Sequence, residues 1–100
     1  DYAGAEKLYR RALVGYEQML GEEHLETLNI VHKFGNFLSH HKDYQSAEPL
    51  LRRALVGREK VLGPEHLDTR SSKISLATNR PNRPIRSLEG FFHDDGKLKN

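Results

Sequence analysis

The chain has 100 residues, of which 36% are apolar and 30% charged, with a formal net charge of +2 and no cysteine. That length fits one small domain or a fragment of a larger one. The composition excludes disulfide stapling and thiolate metal sites, contains no apolar run of about 18 residues that a membrane-spanning helix needs, and is too weakly basic to argue for nucleic acid.

The first predicted helix covers residues 3–20. Ala5, Leu8, Tyr9, Ala12, Leu13, Tyr16 and Leu20 recur at spacings of three and four and form one apolar stripe. Gly4 and Gly15 weaken it, and Gly21 stops it. Glu22-Glu23-His24 is a short connector whose acids suit the start of the next helix.

The second predicted helix covers 25–40, with Leu28, Val31, Phe34, Gly35 and Leu38 as its stripe. A glycine inside a helix costs about 1 kcal/mol relative to alanine, so Gly35 points to a close helix crossing. His41-Lys42-Asp43 forms a polar turn, with Asp43 as the cap of the third helix. That third predicted helix, 44–62, carries Tyr44, Ala47, Leu50, Leu51, Ala54, Leu55, Val61 and Leu62 inward. Pro49 is expected just after its first turn, where the missing amide costs little. Gly63-Pro64 ends it. The fourth, 66–79, is expected to turn Ile74, Leu76 and Ala77 inward, and Pro81 and Pro84 stop it.

Residues 80–100 depart from this pattern and read as an irregular or capping tail. Leu88, Phe91 and Phe92 suit three alternatives: covering a hydrophobic end, belonging to a disordered tail, or docking on a partner.

The helices repeat. Ala5 to Thr27 and Ala47 to Thr69 are identical at sixteen of 23 positions, at an offset of 42 residues (47 − 5). A fixed helical period marks an array whose units stack on their neighbours. The fourth helix is a degraded copy of the second: Arg70 stands for Leu28 and Lys73 for Val31. The start, Asp1-Tyr2-Ala3, has neither an initiator methionine nor a signal-like run, which suggests a longer parent or mature numbering.

The stretches YAGAEKLYRRAL, LGEEHLETL and DYQSAEPLLRRALVGREKVLGPEHLDT, with the paired small residues Gly35 and Ala77, resemble tetratricopeptide repeats. The likeness is to the 42-residue variety of kinesin light chain and related proteins, and it covers residues 2–79. It implies an all-α fold of tandem antiparallel helix hairpins, an α-solenoid fragment over residues 1–79. The chain would open on a B helix, continue with a full A–B pair and end on a partial A helix. The resemblance assigns packing roles to Ala5, Tyr9, Ala12, Gly35, Ala47, Leu51, Ala54 and Ala77. Leu25 and Leu67 stand where the family often has proline.

The resemblance also implies a non-catalytic adaptor that binds a peptide or a helix of a partner protein on the concave face of the A helices. Carried to this chain, that face holds Asn29, His32, Asn36, Ser39 and His40 as exposed positions. Helical spacing independently puts 29, 32, 36 and 40 on one side. Asparagines pair with peptide backbone, and imidazoles offer a pH-dependent charge. The plainer reading is a solvated helix face. A structural or self-associating segment, dimerising through bare array ends, is the rival function.

Arg10-Arg11 and Arg52-Arg53 occupy equivalent positions, and one arginine of each pair is expected beside Glu17 or Glu59. The histidines show no HExxH or other metal spacing, and His24 and His66 are expected to tie their turns by hydrogen bonds. No phosphate loop or nucleophile motif occurs, so neither enzyme activity nor a cofactor is expected. The cysteine-free composition is compatible with a cytoplasmic location, which is the expectation.

Overall fold

The computed structural model describes residues 1–81. Four helices succeed one another: α1 (Tyr2–Leu20), α2 (Leu25–His40), α3 (Tyr44–Leu62) and α4 (Leu67–Ala77). No strand occurs among the described residues, and the all-α class holds. The tail readings for Leu88, Phe91 and Phe92 lie outside the described residues.

Local chemistry sets each boundary. Asp1 caps α1 by accepting from the Gly4 amide at 3.1 Å, and Asp43 caps α3 by accepting from the Ser46 amide at 3.3 Å. His24 and His66 cap α2 and α4, their Nδ1 atoms accepting from the amides of Glu26 (3.1 Å) and Asp68 (3.0 Å). Gly21 and Gly63 end α1 and α3 at φ 95° and 92°, backbone that a side chain strains.

Pro49 is the sixth residue of α3, just after the first turn as expected, and its missing amide leaves the Gln45 carbonyl without a helical donor. Both residues are exposed, so the carbonyl is open to solvent. α4 ends at Ala77, short of residue 79. Thr78 Oγ1 turns back to donate to the Ser75 carbonyl at 3.2 Å, and Pro81 biases Arg80 toward extended backbone.

Neighbouring helices run antiparallel. Tyr2 at the start of α1 stacks on Phe37 near the end of α2, while Thr27 near the start of α2 bonds the Tyr16 carbonyl near the end of α1. Gly35 meets Leu51 and Leu28 meets Gly57 across α2 and α3. Arg58 reaches Asp68 at one end of the α3–α4 pair, and Asn79 reaches the Tyr44 carbonyl at the other.

The buried apolar residues are Leu28, Val31, Phe34 and Leu38 of α2, with Ala47, Leu51 and Ala54 of α3. Tyr9 and Leu13 pack on this core from α1, and Leu76 from α4. A Cβ on Gly35 would lie 2.7 Å from Leu51 Cδ2 and 3.3 Å from the Leu51 backbone nitrogen, the close crossing its position foretold.

The expected packing residues divide. Gly35, Ala47, Leu51 and Ala54 are buried, whereas Ala5, Tyr9 and Ala12 are half-buried. Ala77 is exposed, contrary to its assigned packing role. It is the counterpart of Gly35, which α3 covers, and no described helix follows α4 to cover it in the same way.

Arg53 of α3 places Nη2 2.7 Å from a Glu17 carboxylate oxygen of α1, spanning past α2. The nitrogen lacks hydrogen-bond alignment, so charge holds this pair. Arg10 and Arg52 instead pair with Glu6 and Glu48, one turn back along their own helices.

Candidate functional site

The A-helix face is α2, and its five candidate residues separate by burial. Asn29 and Asn36 are half-buried, and His40 is exposed. His32 is only 9% exposed and Ser39 only 8%, so their expected exposure is corrected. α4 causes the burial of His32, because Ser72 rests against its ring. Ser39 lies in the last turn beside the buried Leu38, where the chain doubles back into α3.

His32 sits inside a polar chain that crosses three helices. Its Nε2 lies 3.1 Å from Asn36 Nδ2, and its Nδ1 lies 3.2 Å from Ser72 Oγ of α4. Arg58 of α3 donates from Nη1 to the same Ser72 Oγ at 2.9 Å and to the Asp68 carbonyl at 3.1 Å. Its Nη2 donates to Asn29 Oδ1 at 3.5 Å. Arg58 is 6% exposed, and these acceptors are what make a buried guanidinium tolerable. Burial chiefly, and the Arg58 charge second, hold His32 below its ordinary value, while Asp68 pulls the other way.

Above this chain lies a cleft of about 260 Å³ lined by Leu25, Glu26, Asn29, Arg58 and Asp68. It opens between the first turns of α2 and α4, and both signs of charge face it. Its lining presents the Arg58 guanidinium, the Asn29 amide and the carboxylates of Glu26 and Asp68. Among the described residues no three His, Cys, Asp or Glu side chains gather as metal ligands. No described helix is long and apolar enough to cross a membrane.

Sequence reasoning missed Arg58, Asp68 and Ser72. A signal was present in the repeat itself: Arg58 replaces Tyr16, and Ser72 replaces Ile30, at the 42-residue offset. Two polar replacements on facing helices indicate a buried polar contact.

A second cleft, apolar and of about 310 Å³, lies on the outer face of α1 between Ala12, Gly15, Tyr16, Met19 and Leu20. Met19 there is 83% exposed. The corresponding face of α3 is closed by α2, whose Leu28 fills the place over Gly57.

The tetratricopeptide repeat family matches residues 1–26 and again residues 27–68. The second match spans 42 residues (68 − 27 + 1), the same as the internal offset. No curated protein and no solved structure matches the chain.

Proposed function

The chain belongs to the tetratricopeptide repeat family, and on that premise we propose that it is a non-catalytic scaffold gripping an extended peptide or a helix of a partner protein along α2. Repeats of this family mediate protein–protein interaction. The observation that carries the assignment to this face is the polar cleft where Asn29, Arg58 and Asp68 converge. Asn29 and Asn36 offer amides to a peptide backbone, and His40 extends the same face outward. His32 and Ser39 lie beneath that surface and support it. A stable protein interface buries about 1,200–2,000 Å² in total, so binding to these helices alone is expected to be weak. A cytoplasmic setting accompanies this reading and is compatible with the cysteine-free sequence.

The test is selection of a peptide from a random displayed library, followed by its titration into variants. Asn29→Ala and Asn36→Ala should each weaken binding several-fold while helicity stays unchanged. Equal affinity in both variants would remove the assignment to α2.

The apolar cleft on α1 favours a second reading, self-association through that end of the array. Sedimentation across a wide concentration range separates the two. A dimer dissociated by Met19→Lys supports the second reading, and a monomer at every concentration removes it.

A further inference from the structure

α4 is attached unlike the other helices. Its buried residues are Thr69 and Ser72, both polar, whereas Leu67 and Ile74 are 75% and 63% exposed. Leu76 is half-buried and supplies its apolar contact with the core. Thr69 Oγ1 is buried without a partner, although its counterpart Thr27 donates to the Tyr16 carbonyl. The seat of α4 thus rests on Arg58, His32 and the Asn79–Tyr44 bond, with little hydrophobic reserve.

We propose that the Asn36–His32–Ser72–Arg58 chain is a proton-operated latch, in which protonating His32 sets a second cation beside Arg58 beneath α4 and so lets α4 leave the α2–α3 pair. With Asn36 Nδ2 facing Nε2, the neutral ring accepts at Nε2 and donates from Nδ1–H to Ser72 Oγ. A proton from solvent has Nε2 as its place. There it opposes the Asn36 amide donor, and that bond is lost unless the amide turns over.

The new charge also joins Arg58 in a site with little water. The groups acting on the ring are Arg58 from α3 and Asp68 from α4, with the uncharged Asn36 from α2 itself. Arg58 opposes the imidazolium and Asp68 favours it, and burial outweighs both. Burial is relieved, and Arg58 is free to move away, when α4 lifts. The latch concerns the seating of α4 alone and stands whatever the neighbouring cleft binds.

Linkage fixes the direction with pH. The folded chain holds His32 below its ordinary value of 6.5, so the unfolded or undocked chain takes up the proton first. The docked state is fully favoured above that ordinary value. It loses ground as pH falls from there through the lower value of the folded ring.

Amide hydrogen exchange on the whole chain tests this, with protection of the α4 amides referred to those of α2. Protection in α4 should fall at least about tenfold between about pH 7.5 and about pH 5, and by less than about twofold in His32→Gln, which cannot be protonated. His66→Asn keeps a capping side chain on α4 and should leave the fall intact. If His32→Gln does not fold, Arg58→Met serves, because removing the opposing charge should reduce the pH response, burial keeping part of it, even where α4 is looser throughout. The proposal is overturned if α4 protection does not fall in the parent chain, if it falls equally in His32→Gln or Arg58→Met, or if His66→Asn abolishes it.

Discussion

The contact of α1 with α2 and that of α3 with α4 occupy equivalent places in the repeat, yet different chemistry holds them. Between α1 and α2, Tyr9 stacks on Phe34 at 5.4 Å, Tyr2 on Phe37 at 5.2 Å, and Arg10 covers Phe34 at 5.2 Å. Forty-two residues later Tyr9, Phe34 and Phe37 have become Leu51, Leu76 and Asn79, while Tyr16 and Ile30 have become Arg58 and Ser72. Rings have given way to hydrogen bonds on the same backbone frame. The polar junction sets a bonded histidine beside an arginine, where a proton adds a second charge. The repeat preserves the geometry of stacking and leaves its strength and its responsiveness free to differ from one junction to the next.

The widest separation between the two junctions is expected from Phe34→Ala set against Leu76→Ala, its positional equivalent. Phe34 is 1% exposed and makes the Tyr9 stack, so its loss should cost about 3–5 kcal/mol. That is enough to threaten a domain of this size. Leu76 is only half-buried, and truncating it should cost about 1–2 kcal/mol. Urea unfolding measures both, and equal costs would mean that the two junctions are not different in kind.

A smaller effect with opposite signs is expected within the B helices. A Cβ on Gly57 would lie 2.6 Å from Leu28 Cδ2, and Leu28 is itself 1% exposed. Gly57→Ala should therefore cost about 1–3 kcal/mol through overpacking. The same Cβ on Gly15 meets nothing within 4 Å. Gly15→Ala should stabilise by about 0.5–1 kcal/mol, the ordinary gain from replacing a helical glycine. A loss at Gly15 that grows with protein concentration would show instead that another chain covers α1.

The helices, their polarity and the Gly35 crossing were legible because period and punctuation encode them: stripes at three and four, glycines after α1 and α3, and Asp43 at a cap. His24 and His66 were legible as turn ties because each recurs with its loop. Burial on α2 was not. His32 and Ser39 lie on a polar-looking face, yet both are buried, Ser72 of α4 resting against the His32 ring. Ala77 failed for the converse reason, since its motif position promises a neighbour that the described residues do not supply. Arg58 was obscured by its company, because beside Glu59 and Lys60 a third charge reads as part of a solvated helix end.

The smallest expected effect concerns an ion pair that joins non-consecutive helices. Arg53 and Glu17 tie α3 to α1 directly, while Arg10 and Arg52 spend their charges along their own helices. Both members are roughly two-thirds buried, at 31% and 28% exposure, and the nitrogen is not aligned for a hydrogen bond. Charge without alignment should be worth about 0.2–1 kcal/mol, and Glu17→Gln should remove it. In about 1 M salt, where screening acts over about 3 Å, most of the difference between parent and variant should vanish. The loss should also be local. α1 contributes no fully buried residue, so it should fray first, and its amides should lose protection before those of α4. A difference that persists undiminished in high salt would assign Glu17 a packing role. A loss of protection appearing first in α4 would mean that the two ends of the array are coupled through the α2–α3 core, and that the aromatic and polar junctions do not behave as separate units.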